Sequence, residues 1–223
     1  MIIIMIYVTL FFILPAILMI APHELFHYIG FRIFGAKLQA LYLYSYVLEN
    51  ENNKLKWRKL SISEKKTIAV ACSKDKDYTA VQFIVILAFG SIGNLITAAI
   101  CFIIYNIYDN PLGLMYAVQS LFMGLFNLIQ FFDKSSDGSR IIRLLNKETQ
   151  KYELADINIA NEICGKGTIP MDKIKILEQS DNILYKIKRL YYLTLHESPE
   201  IRIKADLELR KLKKIKEYKQ FQL

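Results

Sequence analysis

Three long runs without charged side chains dominate the pattern of hydrophobic and polar positions along the chain. Residues 1–22, 78–108 and 111–132 contain no Asp, Glu, Lys or Arg. A helix needs roughly 20 predominantly apolar residues to cross the hydrocarbon core of a bilayer. Each run is long enough, so we predict three membrane-spanning helices, the first of which continues to about residue 35 and so covers 1–35.

The first run has a second interpretation, a secretory signal peptide. No positive residue precedes it, and no small-x-small cleavage pattern follows it. A signal peptide typically has both a positively charged start and such a cleavage site. Because this run lacks them, we favour a membrane span.

The polar segments between and after the runs predict a small sheet and a helical tail. In residues 37–77, ENENN has the composition of a turn and KLKWRKLSIS alternates like a half-buried strand. We expect a small cytoplasmic β-hairpin or short sheet close to the membrane. Residues 146–223 show helical periodicity, many charge pairs at i,i+4 spacing and a basic end. The predicted fold class is a membrane α-helical protein, with a core at 1–145 and a helical, basic cytoplasmic tail at 146–223.

The distribution of charge predicts the orientation of the spans. The net charge is +8, with nine Lys and Arg against five Asp and Glu in residues 37–77 and nineteen against fourteen in 133–223. Positive residues near the ends of spans are retained in the cytoplasm. We expect the N-terminus outside and the C-terminus in the cytoplasm. We also expect the positive residues to contact the lipid bilayer and not nucleic acid. The three cysteines show no pairing pattern, which is typical of a reducing compartment.

The stretch APHELFHYIG, residues 21–30, ends the first run with two histidines and a glutamate. On a helix His23 and His27 share one face, and two imidazoles at this spacing can bind one Zn²⁺ at about 2.0–2.1 Å each. Glu24 would lie beside the ion and could take a proton from water, the general-base role in H-E-x-x-H hydrolases. The alternative is a pair of histidines that only hydrogen-bond between helices. Because a Glu without a function is costly in a membrane, we favour the metal site.

A catalytic zinc has three protein ligands and one open position. Spans one and three are predicted to run in the same direction. His23 lies about 22 residues from the start of the first and Asp137 about 26 from the start of the third, and at a rise of ~1.5 Å per residue these depths differ by about one turn. Asp133, one turn earlier, is a competitor for the third ligand. His196 lies in the tail and is predicted to be a surface histidine.

These motifs resemble those of the site-2 protease family of intramembrane zinc metalloproteases. HELFH resembles the H-E-x-x-H of that family, GSIGN at 90–94 resembles its G-P-x-x-N element, and FNLIQFFDKSSDG resembles its N-x-x-P…D-G element. The resemblance covers roughly residues 10–145 and implies that Asp137 is the third zinc ligand and that Asn94 and Asn127 help to position the substrate. Ser91 and Gln130 stand where the family has proline. The SDG variant is similar to the smaller bacterial members, which implies a bacterial cell membrane.

The expected activity is therefore zinc-dependent hydrolysis of a peptide bond in a membrane protein or peptide precursor near the cytoplasmic face. An extended substrate could pair with an edge strand of the sheet in 37–72. The alternative is a non-proteolytic membrane adaptor or immunity-type protein that retains a metal site. A metal transporter is a weaker alternative, because the second run offers only Asn and Gly as polar residues near its middle.

Overall fold

The computed structural model of the chain describes residues 14–51, 54–60, 69–129 and 136–212. These residues form a mostly helical protein with one four-stranded sheet. In chain order the elements are α1 (Leu14–Ile33), β1 (Lys37–Leu43), β2 (Tyr46–Glu51), β3 (Lys54–Lys59), β4 (Ala69–Ser73), α2 (Ala80–Tyr108), α3 (Pro111–Leu128), α4 (Asp137–Leu145), α5 (Lys147–Lys166), α6 (Met171–Glu178), α7 (Ile183–Thr194) and α8 (Pro199–Leu212).

Helix α1 carries the H-E-x-x-H motif and continues through Pro22. It ends where Gly35 adopts a left-handed conformation with φ 78°. The Gly35 N–H donates to the Arg32 carbonyl at 3.0 Å. A glycine in this conformation commonly ends a helix, since it has no Cβ to clash with the backbone. The chain then enters β1 only four positions after the helix ends.

The sheet has the strand order β3-β2-β1-β4, with β1–β2 and β2–β3 antiparallel. Leu43 pairs with Tyr46, so β1 and β2 are joined by a two-residue turn in which Tyr44 has a positive φ of 54°. Of the two predicted alternatives, a hairpin or a short sheet, the structure shows the short sheet, with four strands. Strand β3 differs from the prediction of a half-buried strand, because all six of its residues are exposed. Among the described strands it pairs with β2 alone and so forms one edge of the sheet.

Helices α2 and α3 correspond to the predicted spans at 78–108 and 111–132, although α3 ends at Leu128. Both are long and apolar enough to cross a membrane. Asn110 begins α3 by accepting a hydrogen bond from the Leu112 N–H at 3.1 Å, and Pro111 occupies the first turn, where no N–H is needed. Residues 1–13 lie outside the described part of the chain, so the predicted first span is tested only over α1. Among the described helices, α2 and α3 are long and apolar enough to cross a membrane, and α1 is not included with them.

The chain divides into two compact units. The first comprises 1–72 and 81–141, and the second comprises 73–80 and 142–223. The second unit therefore includes the connection between β4 and α2. Asn158 on α5 accepts from the Tyr78 N–H at 2.7 Å and donates to its carbonyl at 3.2 Å. Asn161 makes the same pair of bonds with Lys74, at 2.8 and 3.0 Å. These two amides fix the connection to the helices of the tail.

The core of the second unit lies among helices α5, α6 and α7. Its buried apolar side chains are Ala155, Ile159, Ile174, Leu177 and Tyr185. Glu153 is fully buried beside them and accepts hydrogen bonds from Arg143 Nε at 2.8 Å and from the Tyr185 hydroxyl at 3.2 Å. Burial and the neighbouring Glu153 raise the pKa of Tyr185. Its hydroxyl therefore stays a neutral donor to the buried carboxylate.

Candidate metal centre

The two histidines of the motif lie on the inner face of α1. Each is at most 9% exposed. Their rings meet edge to face at 84°, and their Nε2 atoms are 3.0 Å apart. The helical spacing of four residues produces this arrangement directly, because positions i and i+4 lie one above the other on the same face. The Nε2 atoms of His23 and His27 therefore point to one place.

Asp137, the first residue of α4, brings a carboxylate oxygen to the same place. Its Oδ2 atom lies 3.1 Å from His23 Nε2 and 3.2 Å from His27 Nε2. The three atoms form a nearly equilateral triangle. Ligands of a tetrahedral ion at about 2.0–2.1 Å are about 3.4 Å apart. The triangle is thus close to one face of a tetrahedral coordination shell.

The hydrogen bond of His27 fixes which of its ring nitrogens faces the triangle as an acceptor. Its Nδ1 atom lies 2.8 Å from the carbonyl oxygen of Ile86 on α2. A carbonyl can only accept, so Nδ1 carries the proton, and Nε2 of the neutral ring presents a lone pair. Metal-binding histidines are commonly held in this way by a second-shell acceptor.

His23 is held on its other side by the two asparagines. The Nδ1 atom of His23 lies 3.4 Å from the amide of Asn94 and 3.5 Å from the amide of Asn127. The two ends of an amide exchange by rotation, and an amide oxygen at this position would accept from Nδ1–H. Nε2 of His23 would then also face the triangle with a lone pair. Asn94, which is fully buried, and Asn127 thus contact a candidate ligand, and their predicted role in positioning substrate remains a prediction.

The carboxylate of Asp137 completes a set of three electron-pair donors. An Asp side chain is ordinarily ionised at neutral pH, and a cation among the three groups would favour the anion further. The Oδ2 atom of Asp137 is buried and meets no hydrogen-bond donor of good geometry among the described residues. Three lone pairs at 3.0–3.2 Å repel one another unless a cation lies among them. His23, His27 and Asp137 could accordingly hold a metal ion.

A glycine of α2 allows the helix to approach the two imidazoles. A Cβ atom added at Gly90 would lie 2.4 Å from His27 Nε2 and 2.6 Å from His23 Cε1. Both distances are far below van der Waals contact, so any side chain at this position would enter the space of the ligand atoms. The first glycine of GSIGN therefore has a steric role at the site. Small residues in apolar helices commonly permit this kind of close approach.

A second glycine places Asp137. A Cβ atom added at Gly138 would lie 2.1 Å from the carbonyl oxygen of Leu128 and 3.0 Å from that of Asn127. The start of α4 is thus in direct contact with the end of α3. The dipeptide Asp137-Gly138 is more than a turn signal here, because the glycine lets the backbone lie close enough for the carboxylate to reach the imidazoles.

Glu24 lies next to His23 on α1 and is half-buried. Its Oε2 atom accepts a hydrogen bond from the backbone N–H of Val70 at 3.1 Å. Val70 belongs to β4, which is an edge strand of the sheet. The predicted general base is therefore held against the edge of the sheet and is not one of the three groups that converge.

The structure brings together the three side chains of the predicted ligand set, and it places Asn94 and Asn127 beside one of them. Sequence reasoning missed the carbonyl of Ile86 and the N–H of Val70, since any residue carries these groups. The competing ligand Asp133, and Gln130, lie outside the described residues. His196 is in the second unit, where its Nδ1 accepts from the Ser198 N–H at 3.0 Å.

The part of the chain that the structure describes contains one group of three potential ligands of this kind. Comparison of the chain with family models, with curated proteins and with solved structures finds no match.

Proposed function

We propose that this protein is an intramembrane zinc metalloprotease that hydrolyses a peptide bond of a membrane protein or peptide precursor. The observation that carries the proposal is the triangle of His23 Nε2, His27 Nε2 and Asp137 Oδ2, next to Glu24 on an apolar helix. Two imidazoles and a carboxylate are a typical protein ligand set for catalytic zinc, with a fourth position left open. The proposed family is that of the site-2 proteases.

The placement in a membrane is part of the proposal and is supported by the surface of α2 and α3. Large apolar side chains project from both helices, many of them at least 40% exposed: Ile96, Ile100, Ile103 and Ile107 on α2, and Leu121, Phe122, Leu125 and Phe126 on α3. A contiguous apolar surface of this kind is uncommon on monomeric soluble proteins. We propose three spans, with α1 as the end of the first, a cytoplasmic C-terminus and a site near the cytoplasmic face.

The residues of the site supply proton transfer and positioning. A zinc ion bound by His23, His27 and Asp137 would supply Lewis acidity, which polarises a carbonyl group and lowers the pKa of water. The Glu24 carboxylate takes a proton from a water molecule as the water oxygen bonds to the scissile carbonyl carbon. Glu24 then gives this proton to the amine nitrogen as the C–N bond breaks. Since Glu24 gains one proton from water and loses one to the amine, it ends the reaction as a carboxylate again.

The sheet supports an extended substrate. A peptide bond within a helix has its carbonyl hydrogen-bonded, so a substrate must unwind before it can react. Strand β4 is at the edge of the sheet, and its Val70 contacts Glu24. An extended peptide could add to an edge strand through main-chain hydrogen bonds. We propose β4, rather than β3 at the opposite edge, as the strand that receives the substrate.

The proposal is tested by metal content and cleavage together. The purified full-length chain is expected to contain one zinc per molecule, and Asp137→Asn and His27→Ala are expected to lose at least tenfold in zinc affinity. Glu24→Gln is expected to keep the zinc and to abolish cleavage. Cells with this variant should accumulate uncleaved membrane peptides that wild-type cells lack.

Two outcomes would contradict the proposal in different ways. A wild-type chain without zinc, or an Asp137→Asn variant that binds zinc as tightly as the wild type, would remove the metal centre. A Glu24→Gln variant that keeps zinc and full biological effect would instead indicate a metal-containing adaptor. Peptide profiles that do not change between Glu24→Gln and wild-type cells would support the same conclusion.

A further inference from the structure

The two faces of the sheet differ in composition. Successive side chains of a strand point to opposite faces, and the pairing registers place Leu41, Leu48 and Trp57 in one row across β1, β2 and β3. The adjacent row on the same face is Leu43, Tyr46 and Lys59. We call this side of the sheet, together with Leu55, the outer sheet face. By the same alternation its charged residues on these three strands are Lys37, at the start of β1, and Lys59, and both are cationic.

The opposite face carries the core and the charges. Val47 is fully buried there and clusters with Ala40 and Leu60. The acidic residues of β2 project from this face and pair with β3, Glu49 with Arg58 at 2.7 Å and Glu51 with Lys56 at 2.6 Å. On β2 and β3 the ionic side chains thus lie on this face, apart from Lys59.

The outer sheet face is exposed although it is apolar. Trp57 is 61% exposed, Leu55 56% and Tyr46 51%. Trp, Tyr and Lys together are typical of the boundary between hydrocarbon and water, where the rings lie at the level of the headgroups and the ammonium reaches the phosphates. Two cationic residues and no acidic one also complement an anionic leaflet.

The short connection between α1 and β1 keeps the sheet near the end of α1. Strand β1 begins at Lys37, four positions after α1 ends at Ile33. At no more than about 3.6 Å per residue, these two points are within about 14 Å of each other. If α1 ends at the membrane surface, as proposed above, a sheet tethered so closely lies beside that surface.

We infer that the outer sheet face lies in the interfacial layer of the lipid bilayer, with Trp57 and Tyr46 among the headgroups and Lys59 beside lipid phosphates. The inference rests on the membrane placement proposed above but not on the hydrolase activity. Its consequence is that the bilayer holds β3, so that only the β4 edge of the sheet faces the candidate site.

Trp57 is the only tryptophan of the chain, so intrinsic fluorescence of the full-length protein reports this face alone. The chain is reconstituted in vesicles of phosphatidylcholine and phosphatidylglycerol, with ordinary lipids or with lipids brominated at one of two depths. Because an interfacial ring lies near the headgroups, we expect roughly twofold quenching by shallow bromines, less by deep bromines and little by aqueous iodide. Emission should be blue-shifted from that of tryptophan in water.

Two results would overturn the inference. Emission and iodide quenching equal to those of free tryptophan would place the face in water. Shielding of Trp57 from both iodide and brominated lipid would indicate that protein, such as a second copy of the chain, covers it. Lys59→Gln and Lys56→Gln form a matched pair on β3, one on each face. Only Lys59→Gln should reduce the quenching by brominated anionic vesicles, and equal effects of the two variants would count against the inference.

Extraction with alkaline carbonate separates this inference from the membrane placement itself. If the chain leaves the vesicles, the spans are wrong. If the chain stays and Trp57 remains in water, only the position of the outer sheet face is wrong. Zinc content, measured on the same samples, is independent of both results.

Discussion

The backbone N–H of Val70 donates a hydrogen bond to the carboxylate of Glu24 at 3.1 Å, across 46 positions of the sequence. This contact joins the edge strand β4 to the helix that carries the motif. A carboxylate held by one backbone N–H has one oxygen left for water. The sheet therefore orients the proposed general base.

Val70→Pro removes this N–H and tests the orientation of Glu24. Proline is tolerated in edge strands, where the missing donor does not interrupt a ladder. We expect cleavage to slow by roughly ten- to a hundredfold, since small displacements of a catalytic group have effects of that size. Zinc content should not change. Val70→Ala keeps the N–H and should cleave at close to the wild-type rate, and a Val70→Pro protein of full activity would exclude the positioning role.

Gly90→Ala tests the close approach of α2 to the imidazoles. The added methyl group would lie 2.4 Å from His27 Nε2, so the ring or the helix must move. We expect the zinc affinity to fall at least tenfold, the order found when groups that orient ligands are changed. Competition with a fluorescent zinc chelator measures it.

Ser91→Ala is the matched control for Gly90→Ala. Ser91 is the next residue, is fully buried, and its hydroxyl has no hydrogen-bond partner among the described residues. Its removal should leave zinc binding unchanged. If both variants bind zinc like the wild type, the ligand atoms are not where the glycine contact places them.

Gly138→Ala tests how the third ligand is placed. All three ligand side chains remain, but the new Cβ would lie 2.1 Å from the Leu128 carbonyl oxygen and must push α4 away. We expect zinc affinity to fall about as far as in Asp137→Asn, at least tenfold. Ile142→Ala, on an exposed position of the same helix, should keep wild-type affinity. Normal zinc binding by Gly138→Ala would contradict this account of the backbone contact.

Glu153→Gln tests the second unit separately from the site. Glutamine keeps the shape but leaves Arg143 without its buried anion, and breaking a buried ion pair costs about 3 kcal/mol or more. We expect trypsin to cut within residues 147–212 roughly a hundredfold faster, because cleavage follows the population of the open state. Zinc content should persist, since none of the three candidate ligands belongs to this unit.

The control for Glu153→Gln is Arg210→Ala, which removes an exposed pair between Arg210 and Asp206. Exposed pairs of this kind contribute about 0–1 kcal/mol. The rate of cutting should stay within a fewfold of the wild type after allowing for the lost arginine site. Equal acceleration in the two variants would mean that the buried pair has no special role.

The helical spacing of His23 and His27 is a local property, so the sequence was sufficient to predict that they share a face. Asp137 could be proposed because two apolar runs of similar length end at a similar depth. The turn at Tyr44 was not predicted, since tight hairpin turns usually have Asn or Gly at positive φ. Strand β4 was also missed, because AVACS has no clear alternation of polar and apolar residues.

The paired bonds of Asn158 and Asn161 affect how the protein can be shortened. Each side chain contacts both the N–H and the carbonyl of one residue in the segment 74–78, as a neighbouring strand would. Truncation after residue 145 would remove these partners from four backbone groups just before α2 begins. A minimal version of the protein therefore has to retain α5, even though every candidate ligand precedes it in the chain.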